Sequence, residues 1–350
     1  MKKTLLALAA IAASSASFAQ SSVTLYGVVD ASLESVKGDK TVTRVSSDNL
    51  SSSRLGFKGT EDIGGGLKAN FALESALKVD TGANGGGTTR FWDRAAWVGL
   101  SGGFGDIRLG RIDTPIGDIA GNVLSAQAYD DLKLLGTRAG DSYRRADNAI
   151  TYFLPTMVPG LSASLQYATA TGKGASTGVE VAGSSEGKAY GLSVKYVAGP
   201  LSAGLGYEYA KDEVAGAATQ QKANATLVYA GYDFGAAKVT AYYDAETNPT
   251  NSTTNNMRLT VLGAKVAVPF TPEFTLITGL STARNTKGNV AANDNVQIIT
   301  VKGIYSLSKR TAVYGMVTNV NNDTATSYGL VTASNDKTTH GLAVGVRHSF

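Results

Sequence analysis

Apolar residues recur at every second position through most of the chain. In "KAYGLSVKYVA", Tyr190, Leu192, Val194 and Tyr196 share one parity, while Gly191, Ser193 and Lys195 share the other. In "PLSAGLGYEYA", Leu201, Ala203, Leu205, Tyr207 and Tyr209 alternate with Ser202, Gly204, Gly206 and Glu208. A period of two is that of a β-strand with one apolar and one polar face. About sixteen such segments follow one another, from "SVTLYGVVDASLE" to "HGLAVGVRHSF", which alternates up to Phe350. No amphipathic helix longer than a few turns is predicted.

The connectors come in two sizes that alternate. Tight ones include "EDIGGGL", "SGGFGD", "VPGL", "AGPL" and "DFGAA". Long polar ones include "VKGDKTVTRVSSDN", "ATGKGASTGVEVAGSSEG" and "ETNPTNSTTNNM". Short turns on one rim and long loops on the other predict an outer-membrane barrel. The seven prolines all fall in predicted turns, loops or strand ends, so none has to donate to a central ladder. Lipid offers no partner for open-edge N–H and C=O groups, and each unpaired group costs several kcal/mol. The first strand must therefore bond the last. The predicted fold is all-β, a 16-stranded antiparallel transmembrane β-barrel. A soluble β-sandwich alternates too, but Lys and Glu opposite the apolar face suit a wet lumen.

The first twenty residues stand apart. "MKKTLLALAAIAASSASFAQ" has Lys2 and Lys3, an apolar run and then small residues, which predicts a secretory signal at 1–19 cut after Ala19. Residues 20–350 then form one barrel domain. With no Cys, disulfides contribute nothing. The formal charge of +4 falls to about +2 without Lys2 and Lys3, too small to suggest a nucleic-acid partner. The apolar outer face calls for outer-membrane lipid and, in the outer leaflet, lipopolysaccharide.

One connector is out of scale, running from about 114 to 146 through "PIGDIAGNVLSAQAYDDLKLLGTRAGDSYRRAD". Connectors this long are usually functional. It carries Asp118, Asp130, Asp131 and Asp141 against Lys133, Arg138, Arg144 and Arg145, and Arg111 and Asp113 stand just before it. Its middle, "SAQAYDDLKLLG", predicts a short helix stopped at Gly136. A sixteen-stranded barrel leaves an aqueous channel, so a loop folded inward would narrow it. Acids on that loop facing basic wall residues would set up a transverse field. Arg54 opposes the parity of Leu55 and Phe57, and Arg108 that of Ile107 and Leu109, so both point into the lumen. Lys195, Lys238 and Lys265 fall on inward parities. Arg94 shares the outward parity of Val98 and Leu100, which requires either a bulge or a different facing.

The signal, "SVTLYGVVDASLE", "SRLGFKGTEDIGGGLKANFALES", "RAAWVGLSGGFGDIRLGRIDTP" and the terminal "GVRHSF" resemble the general porins of betaproteobacterial outer membranes. The resemblance implies a homotrimer of barrels, each passing ions and small hydrophilic solutes by passive diffusion, with loop 3 folded inward as the constriction. It implies a preference for anions through wall arginines at Arg54, Arg94 and one of Arg144 or Arg145, and an inward Arg94. It also implies that Phe350 ends a signal read by the barrel-assembly machinery.

Other functions find less support. A membrane-barrel enzyme needs clustered acid, base or nucleophile groups. The chain has only His340 and His348, with no nucleophile motif beside them. No cofactor is expected, and loop carboxylates suit weak Ca²⁺ binding at most. A substrate-specific channel for a sugar or organic anion is the nearer alternative. The tyrosines fall mostly on outward parities, so no aromatic track through the pore is evident.

Overall fold

The computed structural model describes residues 22–85, 90–125, 135, 141–169, 188–212, 221–247, 258–284, 295–323, 331 and 337–350. The predicted signal at 1–19 and the helix predicted before Gly136 lie outside the described residues. Seventeen strands form one antiparallel sheet. They are β1 (Ser22–Lys37), β2 (Thr41–Ser47), β3 (Arg54–Gly64), β4 (Leu67–Ala76), β5 (Ala95–Gly102) and β6 (Gly105–Asp113). After the long connector come β7 (Arg145–Phe153), β8 (Leu161–Ala168), β9 (Ala189–Ala198), β10 (Leu201–Asp212), β11 (Gln221–Asp233) and β12 (Lys238–Thr247). The sheet ends with β13 (Arg258–Pro269), β14 (Phe274–Arg284), β15 (Val296–Ser306), β16 (Thr311–Asn322) and β17 (Thr339–Ser349).

The sheet closes through β1. One edge of β1 pairs with β17, from Val28↔Ser349 to Lys37↔His340. Its other edge pairs with β2 from Ala31↔Ser47 to Lys37↔Thr41, and with β3 from Ser22↔Thr60 to Val28↔Arg54. β2 and β3 are thus two halves of one stave, and the barrel has sixteen. The segment "VKGDKTVTRVSSDN", expected to be a long loop, instead contains β2. The hairpin is tight, and the irregular piece lies at 48–53, in mid-stave. Asp48 enters it at φ 72°, a left-handed conformation that Asp tolerates better than most residues.

This excursion folds over the inner wall of β1. Leu50 and Ser51 donate their N–H groups to Asp30 Oδ2 at 3.1 and 2.7 Å, and Tyr314 donates its hydroxyl to Oδ1 at 2.6 Å. Asn49 Nδ2 donates to Ser32 Oγ and Glu34 Oε2 at 2.7 and 2.8 Å. Asp30 is fully buried by these contacts.

The two faces invert the pattern of a water-soluble protein. Leu33, Val98, Leu342 and Val344 are 52–62 % exposed on the outside. Asp30, Ser32, Glu34, Gln166, Ser193 and Glu208 are buried on the inside. Tyr167, Tyr190 and Tyr209 stand 5.1 and 6.2 Å apart near the long-loop ends of β8–β10. Tyr232 and Phe234, and Phe270 and Phe274, pair near the short-turn rim. These are the two aromatic girdles of a membrane barrel. At that rim Gly64, Gly65 and Gly66 all take positive φ, which glycine alone adopts freely.

Four tyrosines depart from the outward parity expected of most. Tyr26, Tyr229, Tyr242 and Tyr314 turn inward and lie along the wall. Each lies over a glycine on a neighbouring strand: Gly56, Gly204, Gly263 and Gly345 respectively. A Cβ on Gly56 would come within 2.5 Å of the Tyr26 ring. Aromatic–glycine pairs of this kind let a ring lie flat on a curved sheet and pin its register.

The seam finishes on Phe350, whose N–H donates to Gly27 O and whose carbonyl accepts from Gly27 N, both at 3.1 Å. Its ring covers Gly27. Deleting Phe350 removes both bonds, worth about 1 kcal/mol each net. The variant is expected to lose its heat-resistant folded band several degrees earlier, as read by heat-dependent electrophoretic mobility.

Candidate pore constriction

The connector between β6 and β7 runs from Thr114 to Arg144. Its entry is a one-turn helix, Pro115–Asp118, capped by Thr114, whose Oγ1 accepts from Gly117 N at 2.9 Å. Proline at the first helical position costs no hydrogen bond. A π-helical turn, Ile119–Val123, follows. The exit is another single turn, Asp141–Arg144, and the two ends are tied together. Thr114 N donates to Arg144 O at 3.1 Å, and Thr114 Oγ1 donates to Tyr143 O at 2.6 Å.

The described part of this connector lies against inward-facing residues of β9–β13. Gly206 makes the approach possible, because a Cβ there would sit 2.9 Å from Ile116 Cα. Ile116, Ile119 and Leu124 join an apolar cluster with Leu227, Tyr229, Leu259, Val261 and Ile298 of the inner wall. Lys195 pairs with Asp118, and Lys265 Nζ donates to Leu124 O at 3.0 Å. Tyr143 is fully buried and donates its hydroxyl to Asp244 Oδ1 at 3.0 Å. Burial, with Asp244 and Glu246 close by, pushes the Tyr143 hydroxyl well above its usual range. It therefore remains a donor across physiological pH.

A cavity of about 600 Å³ lies on the other side of the connector. Glu74 of β4 lines it. Arg94 Nε donates to Glu74 Oε1 at 2.5 Å, Tyr26 donates to Oε2 at 2.9 Å, and Arg54 Nε approaches Oε2 at 3.7 Å. Arg94 is not inside a strand. It sits in the bend before β5, with its N–H on Glu74 O at 3.1 Å, so strand parity does not govern its direction. Neither a bulge nor a reversed strand is needed.

The remaining candidates separate by position. Arg108, Asp113 and Asp118 line the cavity with Arg54 and Arg94. Arg108 is stacked between Trp97 and Phe153, 4.2 and 4.5 Å from their ring centroids, and holds Asp106 at 2.7 Å. Arg145 stands behind the lining, with Nε 3.0 Å from both Asp113 Oδ1 and Arg94 O. Arg144 packs its guanidinium over Gly121. The structure puts Arg111 beside the register shift between β6 and β7, away from the cavity lining, on Asp147 and the Asp93 carbonyl, both at 2.5 Å. Asp130, Asp131, Lys133 and Arg138 lie outside the described residues. No group of three or more His, Asp or Glu among the described residues is placed to hold a metal.

Sequence reasoning missed three features. Glu74 is one of them, since nothing along the chain marks a carboxylate on which two distant arginines converge. The excursion at 48–53 is another. The apolar inner wall is the third, and it left a signal. In "RLTVLG" and "VQIIT" the inward parity is itself apolar (Leu259 and Val261; Val296 and Ile298), so these inner faces had to be covered by something.

A family model of Gram-negative porins matches residues 5–325. The chain is similar to outer membrane porin protein 32 of Delftia acidovorans, 34 % identical over 371 residues that cover 100 % of both chains. It is similar in structure to the anion-selective porin from Comamonas acidovorans, with a TM-score of 0.80, 28 % identity, and coverage of 95 % of this chain and 100 % of that one. The trimer form of OmpT of Vibrio cholerae shares the fold, with a TM-score of 0.66, 16 % identity and the same coverage.

The Tyr143–Asp244 bond ties the end of the connector to the wall. Tyr143→Phe leaves a buried carboxylate short of a donor, which costs about 1–3 kcal/mol. The barrel should still assemble, and open-channel current noise should rise as the connector loosens.

Proposed function

This chain belongs to the Gram-negative porin family, and we propose that its barrel is a water-filled channel for passive diffusion of ions and small hydrophilic solutes with a preference for anions. It is a multi-pass β-barrel of the bacterial outer membrane. The anion-selective character of the Comamonas relative supports the sign of the preference. The observation that carries it here is the convergence of Arg54 and Arg94 on the single carboxylate of Glu74.

The charges add up in the same direction. Four cations (Arg54, Lys58, Arg94, Arg108) and four acids (Glu74, Asp106, Asp113, Asp118) line the cavity. Two of those acids are matched from outside the lining, Asp113 by Arg145 and Asp118 by Lys195. The local sum is therefore about +2, one charge where Arg54 and Arg94 meet Glu74 and one at Lys58. Asp113 and Asp118 stand at the connector side with their charges matched, so the field across the lining comes from the unmatched wall cations. The connector thus acts as loop 3, narrowing the lumen to the cavity between itself and the wall of β1 and β3–β7. A homotrimer, lipopolysaccharide around the outer-leaflet belt and delivery by the barrel-assembly machinery through the Phe350 strand complete the proposal. The family supports the first two, and the seam position of Phe350 supports the last.

Purified protein in a planar bilayer tests this. A salt gradient should give a reversal potential of the sign set by anions. Arg54→Glu swings two charges at the narrow level, so the anion/cation permeability ratio should fall by roughly threefold or more. An unchanged reversal potential would remove Arg54 from the constriction. Deleting 118–138 should raise single-channel conductance by roughly twofold, given the width an unobstructed sixteen-stranded barrel leaves. Equal conductance would place the connector outside the conducting path.

A further inference from the structure

The outer wall carries a line of cations where the lipid belt ends. Lys188 directly precedes β9, Lys211 is the last residue but one of β10, and Lys222 is the second residue of β11. All three stand at the long-loop ends of their strands, on the outward parity of Tyr190, Leu205 and Val228. The register sets them side by side. Lys211 is directly opposite Lys222, and the Lys211 N–H donates to Lys188 O at 2.8 Å. Neighbouring strands lie about 5 Å apart, so the row spans about 10 Å. Arg258 and Arg284, both exposed, continue the line at the long-loop ends of β13 and β14.

Nothing on this face offsets the charge. The outward positions at this end of β8–β14 hold no Asp or Glu. Lys211 and Lys222 form no ion pair with another described residue. Like charges directly opposite one another on a sheet destabilise it. An anion lying across the row removes that repulsion.

The surroundings indicate which anion. Just below the lysines stand Tyr167, Tyr190 and Tyr209 of the upper girdle, and Lys188 Nζ lies 5.8 Å from the Tyr167 ring centroid. Two residues along a tilted strand are about 5 Å of height, so the lysines reach headgroup level where the tyrosines mark the hydrocarbon border. Leu165, Val194, Leu205 and Val228, all exposed, continue the face downward for acyl chains. A ligand matching this face carries anionic groups at the top, a polar body at the girdle and hydrocarbon below. The long loops mark the extracellular side, whose leaflet is built of lipopolysaccharide. Several phosphates on one stiff sugar backbone suit a row of lysine point charges, whereas a phospholipid brings a single phosphate.

We propose that the outward face of β8–β11 is a docking site for lipopolysaccharide, with Lys188, Lys211 and Lys222 bridging its sugar phosphates above the tyrosine girdle. It rests on the outer-membrane reading above and gives that lipid contact a place on the wall. The bound glycolipid neutralises the row and clamps three neighbouring strands together at their long-loop ends.

Purified porin in detergent, titrated with lipopolysaccharide and followed by native electrophoresis, is the test. The wild type should shift in a saturable way. Lys188→Gln/Lys211→Gln/Lys222→Gln should raise the half-saturating concentration by about tenfold or more, and dephosphorylated lipopolysaccharide should bind the wild type as weakly. Lys309→Gln, in the short turn between β15 and β16, should leave binding unchanged. In bilayers free of lipopolysaccharide the triple variant should keep the wild-type conductance and reversal potential, since none of the three lysines faces the lumen. Should the triple variant fail to give a heat-resistant band, the exposed Lys222→Gln alone is measured, with a shift of about threefold expected. Equal binding by the lysine variants and the wild type overturns the site. Phosphatidylglycerol that competes as well as lipopolysaccharide overturns the choice of ligand. Either result leaves the porin function standing, whereas absence of any wild-type conductance overturns that function first.

Discussion

A peptide group in hydrocarbon has to be hydrogen-bonded by the protein itself, and the rest of this molecule follows from that. It forces the sheet to close. β1 bears most of the consequence, since it pairs with β17 on one edge and with two successive half-staves on the other. The closed sheet then has a fixed girth, and sixteen staves enclose more space than their own inward side chains fill. The interior is a conduit with no packed core of its own. Whatever selects among solutes has to be inserted from the connections.

Two segments are inserted, and different forces hold them. The excursion at 48–53 is held by polar contacts on Asp30, Ser32 and Glu34, with Asp30 accepting from two backbone N–H groups and a tyrosine hydroxyl. Loop 3 is held mainly by apolar contact. Ile116 and Ile119 are fully buried against the inner wall, and Gly191 and Gly206 lack the side chains that would hold the turn off the sheet. Polar ties at Lys195, Lys265 and Tyr143 then fix its orientation. Water is excluded under both insertions, so acids that would otherwise face the lumen are buried there.

The outer face was legible because lipid tolerates so little on it. Tyr190, Val194 and Tyr196 on one side of β9 and Ser193 and Lys195 on the other follow the alternation residue for residue. The inner face was legible only in part, since it answers to water in some places and to inserted chain in others. Arg54 and Arg108 lie within strands, so parity located them. Arg94 precedes its strand by one residue, and parity says nothing about a bend. β2 was hidden in a polar stretch, "TVTRVSS", that reads as loop when its hairpin partner is unknown. The loop-3 acids beyond Ser125 lie outside the described residues.

Not every inward arginine acts on a passing ion in the same way. Arg108 holds a carboxylate two residues away on its own strand and is clamped between two aromatic faces, so its charge is neutralised locally and its side chain immobilised. Arg54 and Arg94 share one carboxylate, and the remainder of their charge is unmatched at the cavity surface. The Arg94–Glu74 pair is mostly enclosed, at 16 % and 14 % side-chain exposure, so removing either partner leaves the other charge uncompensated. Glu74 thereby holds two like charges side by side at the cavity wall, where they would otherwise swing apart. The field a solute meets is therefore set by how many arginines each carboxylate must serve, more than by how many arginines the wall carries.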